Sequence, residues 1–243
     1  MTKNEVNTRT TAAIVTDAPP SFLAQFAGQG NENVTRTDMV LPRLGLIQAL
    51  SPQLQRNEPA YLAGAEQGDI FNTVTGDIYS GGVFVVNCFF VKEWAVFKLR
   101  TKGGGFRGTF PSEKAAKEHM ASLQDAADCE VIEQALHYIL VLDADKNPIS
   151  EAALVFASTK LKVSRKWNSL IELGGHDKPR FAKIWKLGSV SEKNEKGSFF
   201  NYTVAPAGFV TEEIAIAANA LWKAVKDGIK VVDRAEAPVE PEY

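Results

Sequence analysis

Little in this sequence is arranged for covalent chemistry. The three histidines, His119, His137 and His176, stand outside any HExxH or cysteine-linked zinc spacing. Asp143 and Asp145 share side-chain parity beside an expected strand end, where a magnesium nuclease would hold carboxylates. The following Lys146-Asn147-Pro148 reads instead as a surface turn. Ser80, Ser158 and Ser169 lack the strand–turn–helix setting of an activated nucleophile. Cys88 and Cys129 have no motif spacing, and Cys88 sits in an apolar run, which predicts a buried free thiol. The glycine run Gly103-Gly104-Gly105 is not part of a GxxxxGK[ST] phosphate loop. The expectation is a protein that is not an enzyme and uses neither cofactor nor metal.

What the sequence does supply is cationic side chains interleaved with flat rings. Residues 160–186 hold eight cations, among them Lys160, Lys162, Arg165, Lys166 and Lys183, against Glu172 and Asp177, a net of +6. Trp167, Phe181 and Trp185 lie among them. Residues 92–107 hold Lys92, Lys98, Arg100, Lys102 and Arg107 against Glu93, a net of +4, with Trp94, Phe97 and Phe106 interspersed. Cations for phosphates and rings for bases are what a single-strand groove requires, and stacking is indifferent to base identity. The candidate contact residues are Trp94, Lys98, Arg100, Lys102, Phe106, Arg107, Lys160, Lys162, Arg165, Lys166, Trp167, Lys183 and Trp185. The competing structural reading puts the tryptophans in a core and the lysines on a solvated edge or helix face. Lys102 to Arg107 could form a flap over a backbone or an ordinary connector.

These residues need elements to hold them. Residues 82–91 are rich in valine and phenylalanine and predict a strand; Lys92-Glu93 reads as a turn into a second strand over 94–100, forming a hairpin. Residues 112–128 predict a helix capped by Ser112, residues 130–142 and 152–157 two strands, and residues 159–173 a helix. Residues 181–187 and 198–205 form an expected second hairpin across the polar stretch 191–197. In its first strand, Phe181, Lys183 and Trp185 would share a face. Residues 211–230 predict a final helix with the apolar stripe Ile214, Ala217, Leu221, Val225 and Ile229. Seven or eight strands not separated singly by helices argue against a doubly wound parallel sheet and favour a mainly β fold, a small barrel with attached helices.

The 243 residues are 45% hydrophobic and 23% charged, enough for one elaborated domain. Residues 1–38 read as a flexible N-terminal arm with a short helix at 21–26, residues 39–232 as the folded body, and residues 233–243 as an acidic tail of net -3. The whole-chain charge of -2 therefore excludes little, because without the tail it becomes +1. No signal core or membrane span is visible, and the two cysteines fit a reducing compartment.

The blocks LPRLGLIQALSPQL, GDIFNTVTGDI, VFVVNCFFVKEW, KGGGF and FASTKLKVSRKWNSLI resemble a group of tailed-bacteriophage replication-region proteins, over residues 41–170. The resemblance implies a single-stranded DNA-binding protein with an oligonucleotide-binding (OB) fold barrel, acting in the host cytoplasm during DNA replication or recombination. The tail, ending Glu240-Pro241-Glu242-Tyr243, is similar to the acidic terminal peptides with which single-strand binders recruit replication or recombination proteins, with Tyr in place of the usual Phe. An edge strand or the final helix could make a homodimer. The alternatives are a non-catalytic phage protein-interaction or structural module and, less well supported, a nuclease using Asp143 or Asp145.

Overall fold

Branched and aromatic side chains dominate residues 83–98, and they build one uninterrupted 16-residue strand. The computed structural model describes residues 21–34, 40–175, 177–195, 197–228 and 232. The chain divides into two compact units, Met1–Met39 and Val40–Tyr243. The described part of the first is an exposed 3-10 helix, Ser21–Phe26, followed by turns. The expected tail 233–243 and Ile229 lie outside the described residues.

In the second unit, short strands β1 (Leu44–Leu46), β2 (Ile70–Asn72) and β3 (Ile78–Tyr79) form a three-stranded antiparallel sheet. The main sheet holds β4 (Val83–Lys98), β5 (Phe106–Phe110), β6 (Cys129–Leu142), β7 (Pro148–Ala157), β8 (Lys183–Asn194) and β9 (Gly197–Phe209). Its order is β7-β6-β4-β8-β9, with β5 also on β4. The helices are α1 (Glu113–Ser122), α2 (Leu161–Glu172) and α3 (Glu212–Lys226).

Two expected turns are strand. Lys92 and Glu93 continue β4 opposite Ala135 and Gln134 of β6, so there is no hairpin at this point. Neither residue supplies the backbone freedom of a turn, and Lys92 is anchored across the sheet to Glu133 at 2.9 Å. Likewise Ser191 to Asn194 stay paired with Phe200 to Gly197, which moves the second turn to the strand tips. The expected helix over 112–128 stops at Ser122, with a separate 3-10 turn at Ala126–Asp128; its predicted cap holds, Ser112 accepting from the Ala115 N–H at 3.2 Å.

β4 serves two cores by its side-chain alternation, and a bulge at Cys88 exchanges the two faces part-way along it. Val83 and Val85 face a cluster with Trp167, Trp185, Phe156 and Tyr202, covered by α2 and the small sheet. Phe84 and Val86 face the opposite cluster, with Ile214, Ala218 and Leu221 of α3. Past the bulge the parity is exchanged, Phe90 joining the first cluster and Phe89 and Val91 the second.

The protein is thus mainly β, antiparallel, with a few helices. Its sheets are not closed, and the expected barrel does not follow from the strand pairing. The small sheet partly spans the gap between the outer strands. A parallel bridge joins Arg43 to Ala153 of β7, the Ala153 N–H donates to the Pro42 carbonyl at 2.8 Å, and the Tyr202 hydroxyl of β9 donates to the Leu44 carbonyl at 2.9 Å.

Candidate nucleic-acid interface

The small sheet and the main sheet enclose a cleft of about 980 Å³. Its walls come from β1 and the turn after it, from β2, from the ends of β4 and β7, from the start of β6, and from the tips of β8 and β9. Phe71, Phe97, Phe199, Phe200 and Tyr202 supply rings. Arg43, Arg100 and Lys160 supply positive charge, against Glu130 and Glu195.

Two rings are seated on glycines. A Cβ on Gly45 would lie 2.4 Å from the Phe71 ring, and one on Gly68 would lie 2.6 Å from the Phe200 ring. Gly68 also has a φ of +89°, a conformation side chains other than hydrogen resist. At the floor, Lys160 is only 6% exposed and its ammonium lies 5.5 Å from the Tyr202 ring centre. It closes the 3-10 turn Ser158–Lys160, which runs directly into α2. Ser158, also on the wall, takes the unusual φ of +47°.

Of the expected contact residues, Arg100 and Lys160 line this cleft. Phe106 reaches it indirectly, its ring 5.6 Å from that of Phe97. Lys98 and Arg107 converge instead on Asp125, each at 3.1 Å, and Lys102 lies 3.6 Å from Asp128. Hydrogen bonds from Arg107 and then Lys98 hold the Asp125 carboxyl below its ordinary range. The glycine run is a tight connector here: the Gly104 N–H donates to the Leu99 carbonyl and the Lys98 N–H to the Gly105 carbonyl. Trp94 is half-buried, with the Lys92 ammonium 4.8 Å from its ring centre.

Trp167 and Trp185 correct the expectation most sharply. They are 0% and 1% exposed, with ring centres 6.1 Å apart in the core, so neither offers a face to a base. The amphipathic turn of α2 explains the first: Val163, Ser164 and Trp167 point inward while Lys162, Arg165 and Lys166 point to solvent. For the second, the strand begins only at Lys183 and Phe181 sits in the 3-10 turn Arg180–Ala182 before it, so strand parity does not extend back to Phe181, which packs on the α3 side while Trp185 packs on the α2 side. Lys183 lies away from the cleft, its ammonium 5.7 Å from the Phe209 ring centre. On α2, Lys162 contacts Glu192 at 2.7 Å and Arg165 contacts Glu133 at 3.8 Å.

The catalytic candidates also resolve into structure. Asp143 accepts from the Asn147 N–H at 2.8 Å and closes the β6–β7 turn. His119 Nε2 donates to the Arg107 carbonyl at 3.1 Å. His137 is buried beneath Trp167, their rings stacked at 5.0 Å. Its Nδ1 accepts from Asn87 at 2.8 Å and faces Arg180 at 3.3 Å, while its Nε2 donates to the Ser164 hydroxyl at 2.7 Å. Burial brings the Arg180 guanidinium down to about 10 and pushes the Cys88 thiol up to about 12. His176 lies outside the described residues. Among the described residues no group of three or more His, Cys, Asp or Glu side chains could hold a metal ion.

The family model for Pam3 phage gp34-like proteins matches residues 10–230. The chain belongs to the Pam3 phage gp34-like family. It is therefore a bacteriophage protein, and the phage half of the resemblance is confirmed. No curated protein and no solved structure matches it. In this family member, no helix among the described residues is long and apolar enough to cross a membrane. The wall residues that sequence reasoning missed are Arg43, Phe71, Phe199, Phe200 and Tyr202. Their one local signal was the adjacent pair Phe199-Phe200.

Proposed function

We propose that this phage protein binds single-stranded DNA without catalysing a reaction, holding a strand in the cleft while DNA is replicated or recombined. The observation that carries the reading is the placement of Arg43, Arg100 and Lys160 around one concavity walled by Phe71, Phe199 and Phe200. Cations release counterions from phosphate, and rings stack on unpaired bases. The small sheet between the outer strands supports relating the arrangement to an OB-like barrel. Recruitment of replication or recombination proteins by the acidic tail 233–243 belongs to the same proposal.

A titration of labelled oligothymidylate across a salt series, repeated with duplex, tests it. Single strands should bind more tightly, with affinity falling as salt rises, and Arg43→Ala and Phe199→Ala should each weaken binding. Equal, salt-insensitive affinity for both forms would sink the reading.

The second reading is a protein-interaction module. It is favoured by the carboxylates Asp125, Asp128, Glu133 and Glu192, which occupy cations otherwise available to phosphate. It predicts a tight complex with a protein partner that survives nuclease treatment and negligible oligonucleotide affinity.

A further inference from the structure

Beyond the cleft, α2 presents a ridge of hydrogen-bonding and cationic side chains. Lys162, Arg165, Lys166 and Ser169 fall at helical spacing on one face and are all exposed. From the first to the last the ridge runs about 10 Å along the helix axis. It begins two residues after Lys160, and Glu192, which meets its first cation, stands two residues before Asn194; Lys160 and Asn194 both line the cleft, so the ridge starts beside the cleft wall.

Carboxylates from the main sheet hold two of these cations. Glu192 of β8 meets Lys162 at 2.7 Å and also accepts from Asn201 at 3.1 Å. Glu133 of β6 lies 3.8 Å from Arg165 and is itself held by Lys92 at 2.9 Å. Lys166 has no ion-pair partner among the described residues. Both pairs are largely exposed on the cationic side, where ion pairs are weak and a competing anion can exchange with the carboxylate.

We infer that a single strand leaving the cleft runs along this face of α2, its phosphates taking the places of Glu192 on Lys162 and Glu133 on Arg165 and adding a contact to Lys166. The inference rests on the cleft reading. A phosphodiester chain fits the ridge better than an isolated anion, because the cations are spaced along a line that starts beside the cleft wall. The two glutamates hold Lys162 and Arg165 in place and set a threshold that the strand must overcome.

The test is fluorescence anisotropy of labelled oligothymidylate with the full chain over a salt series. Lys166→Ala should reduce the slope of log affinity against log salt by about 0.7, the value of one single-strand phosphate contact. Glu192→Gln keeps a hydrogen-bond acceptor for Asn201 and should tighten low-salt binding about two- to five-fold, the range of an exposed ion pair. That gain should vanish in the Lys162→Ala background, where no cation remains to be released. Glu133→Gln provides the same measurement at Arg165. If the native protein binds oligothymidylate but Lys166→Ala leaves the slope unchanged, or Glu192→Gln acts equally with and without Lys162, the track is overturned and the cleft reading stands. If the native protein binds no single strand, both fall.

Discussion

The side-chain amide of Gln48 pairs with the backbone of Phe200 as a neighbouring strand would. Its Nε2 donates to the Phe200 carbonyl at 2.9 Å, and the Phe200 N–H donates to its Oε1 at 2.8 Å. Gln48 follows β1 and Phe200 lies on β9, so one amide joins the small sheet to the open edge of the main sheet. It also fixes the ring of Phe200 on the cleft wall.

This pairing predicts a specific cost. Gln48 is 6% exposed, so replacing it with methionine keeps most of the volume but leaves two backbone groups of Phe200 without that partner. Gln48→Met should lower unfolding stability by about 2 kcal/mol in urea denaturation. A change of less than about 0.5 kcal/mol would mean that water replaces the amide and that the clamp is incidental.

The tryptophans separate the core from the expected surface. Trp167→Ala opens a cavity against His137 and Trp185 and should cost about 3–5 kcal/mol. Trp94→Ala, at a half-buried site on β4, should cost clearly less. Equal losses in urea denaturation would contradict the burial described for Trp167.

How far the sequence could be read depended on whether the signal was local. The final helix was legible because its apolar stripe lies within one segment: Ile214, Leu221 and Val225 are buried as expected, and the structure adds a cap, Thr211 accepting from the Ile214 N–H at 3.4 Å. The stretch Lys92-Glu93 was misread because its polarity resembles a turn, while what keeps it extended is pairing with β6, some forty residues away in sequence. Cation-rich composition around Trp167 was read as a binding surface, yet a helix turns adjacent residues to opposite sides. The charge surplus was also partly illusory, since Asp125, Asp128, Glu133 and Glu192 come from outside the two basic segments and fold back onto them. The cleft brings together Arg43, just before β1, Phe71 of β2 and Phe199 of β9, and no window of sequence contains that juxtaposition.

Gly68 should be sensitive for two separable reasons. Its φ of +89° strains any other residue, and the Phe200 ring occupies the space a Cβ would take. Gly64 has a similar φ of +82° but nothing within 4 Å of an added Cβ, so Gly64→Ala measures backbone strain alone. Gly64→Ala should cost about 1 kcal/mol, and Gly68→Ala about 1–3 kcal/mol more as the ring is displaced. If the two substitutions cost the same, the ring yields freely and the seat does not fix Phe200.

The buried His137 makes stability depend on pH in a defined window. Burial first, and the neighbouring Arg180 second, hold its pKa well below 6.5. The folded imidazole is neutral because Nδ1 must accept from Asn87 and faces the Arg180 guanidinium. Cys88, which interacts electrostatically with Arg180, has its thiol pushed up to about 12 by burial and stays neutral over this range. Between 6.5 and the lower folded value the unfolded chain binds a proton that the folded chain refuses. The His137 contribution is therefore complete above about pH 6.5 and is lost as pH falls toward the folded pKa, with a slope of up to about 1.4 kcal/mol per pH unit. The depressed carboxyls of Asp125, Asp143 and Glu192 also withdraw stability on acidification, but in a lower window that begins near their ordinary values of 3.8 and 4.5. Urea unfolding at about pH 7.5 and about pH 5.5 should show the native protein losing stability over the interval, and His137→Gln, though less stable at the higher pH, losing markedly less. Parallel pH profiles for the two proteins would show that His137 is not the group responsible.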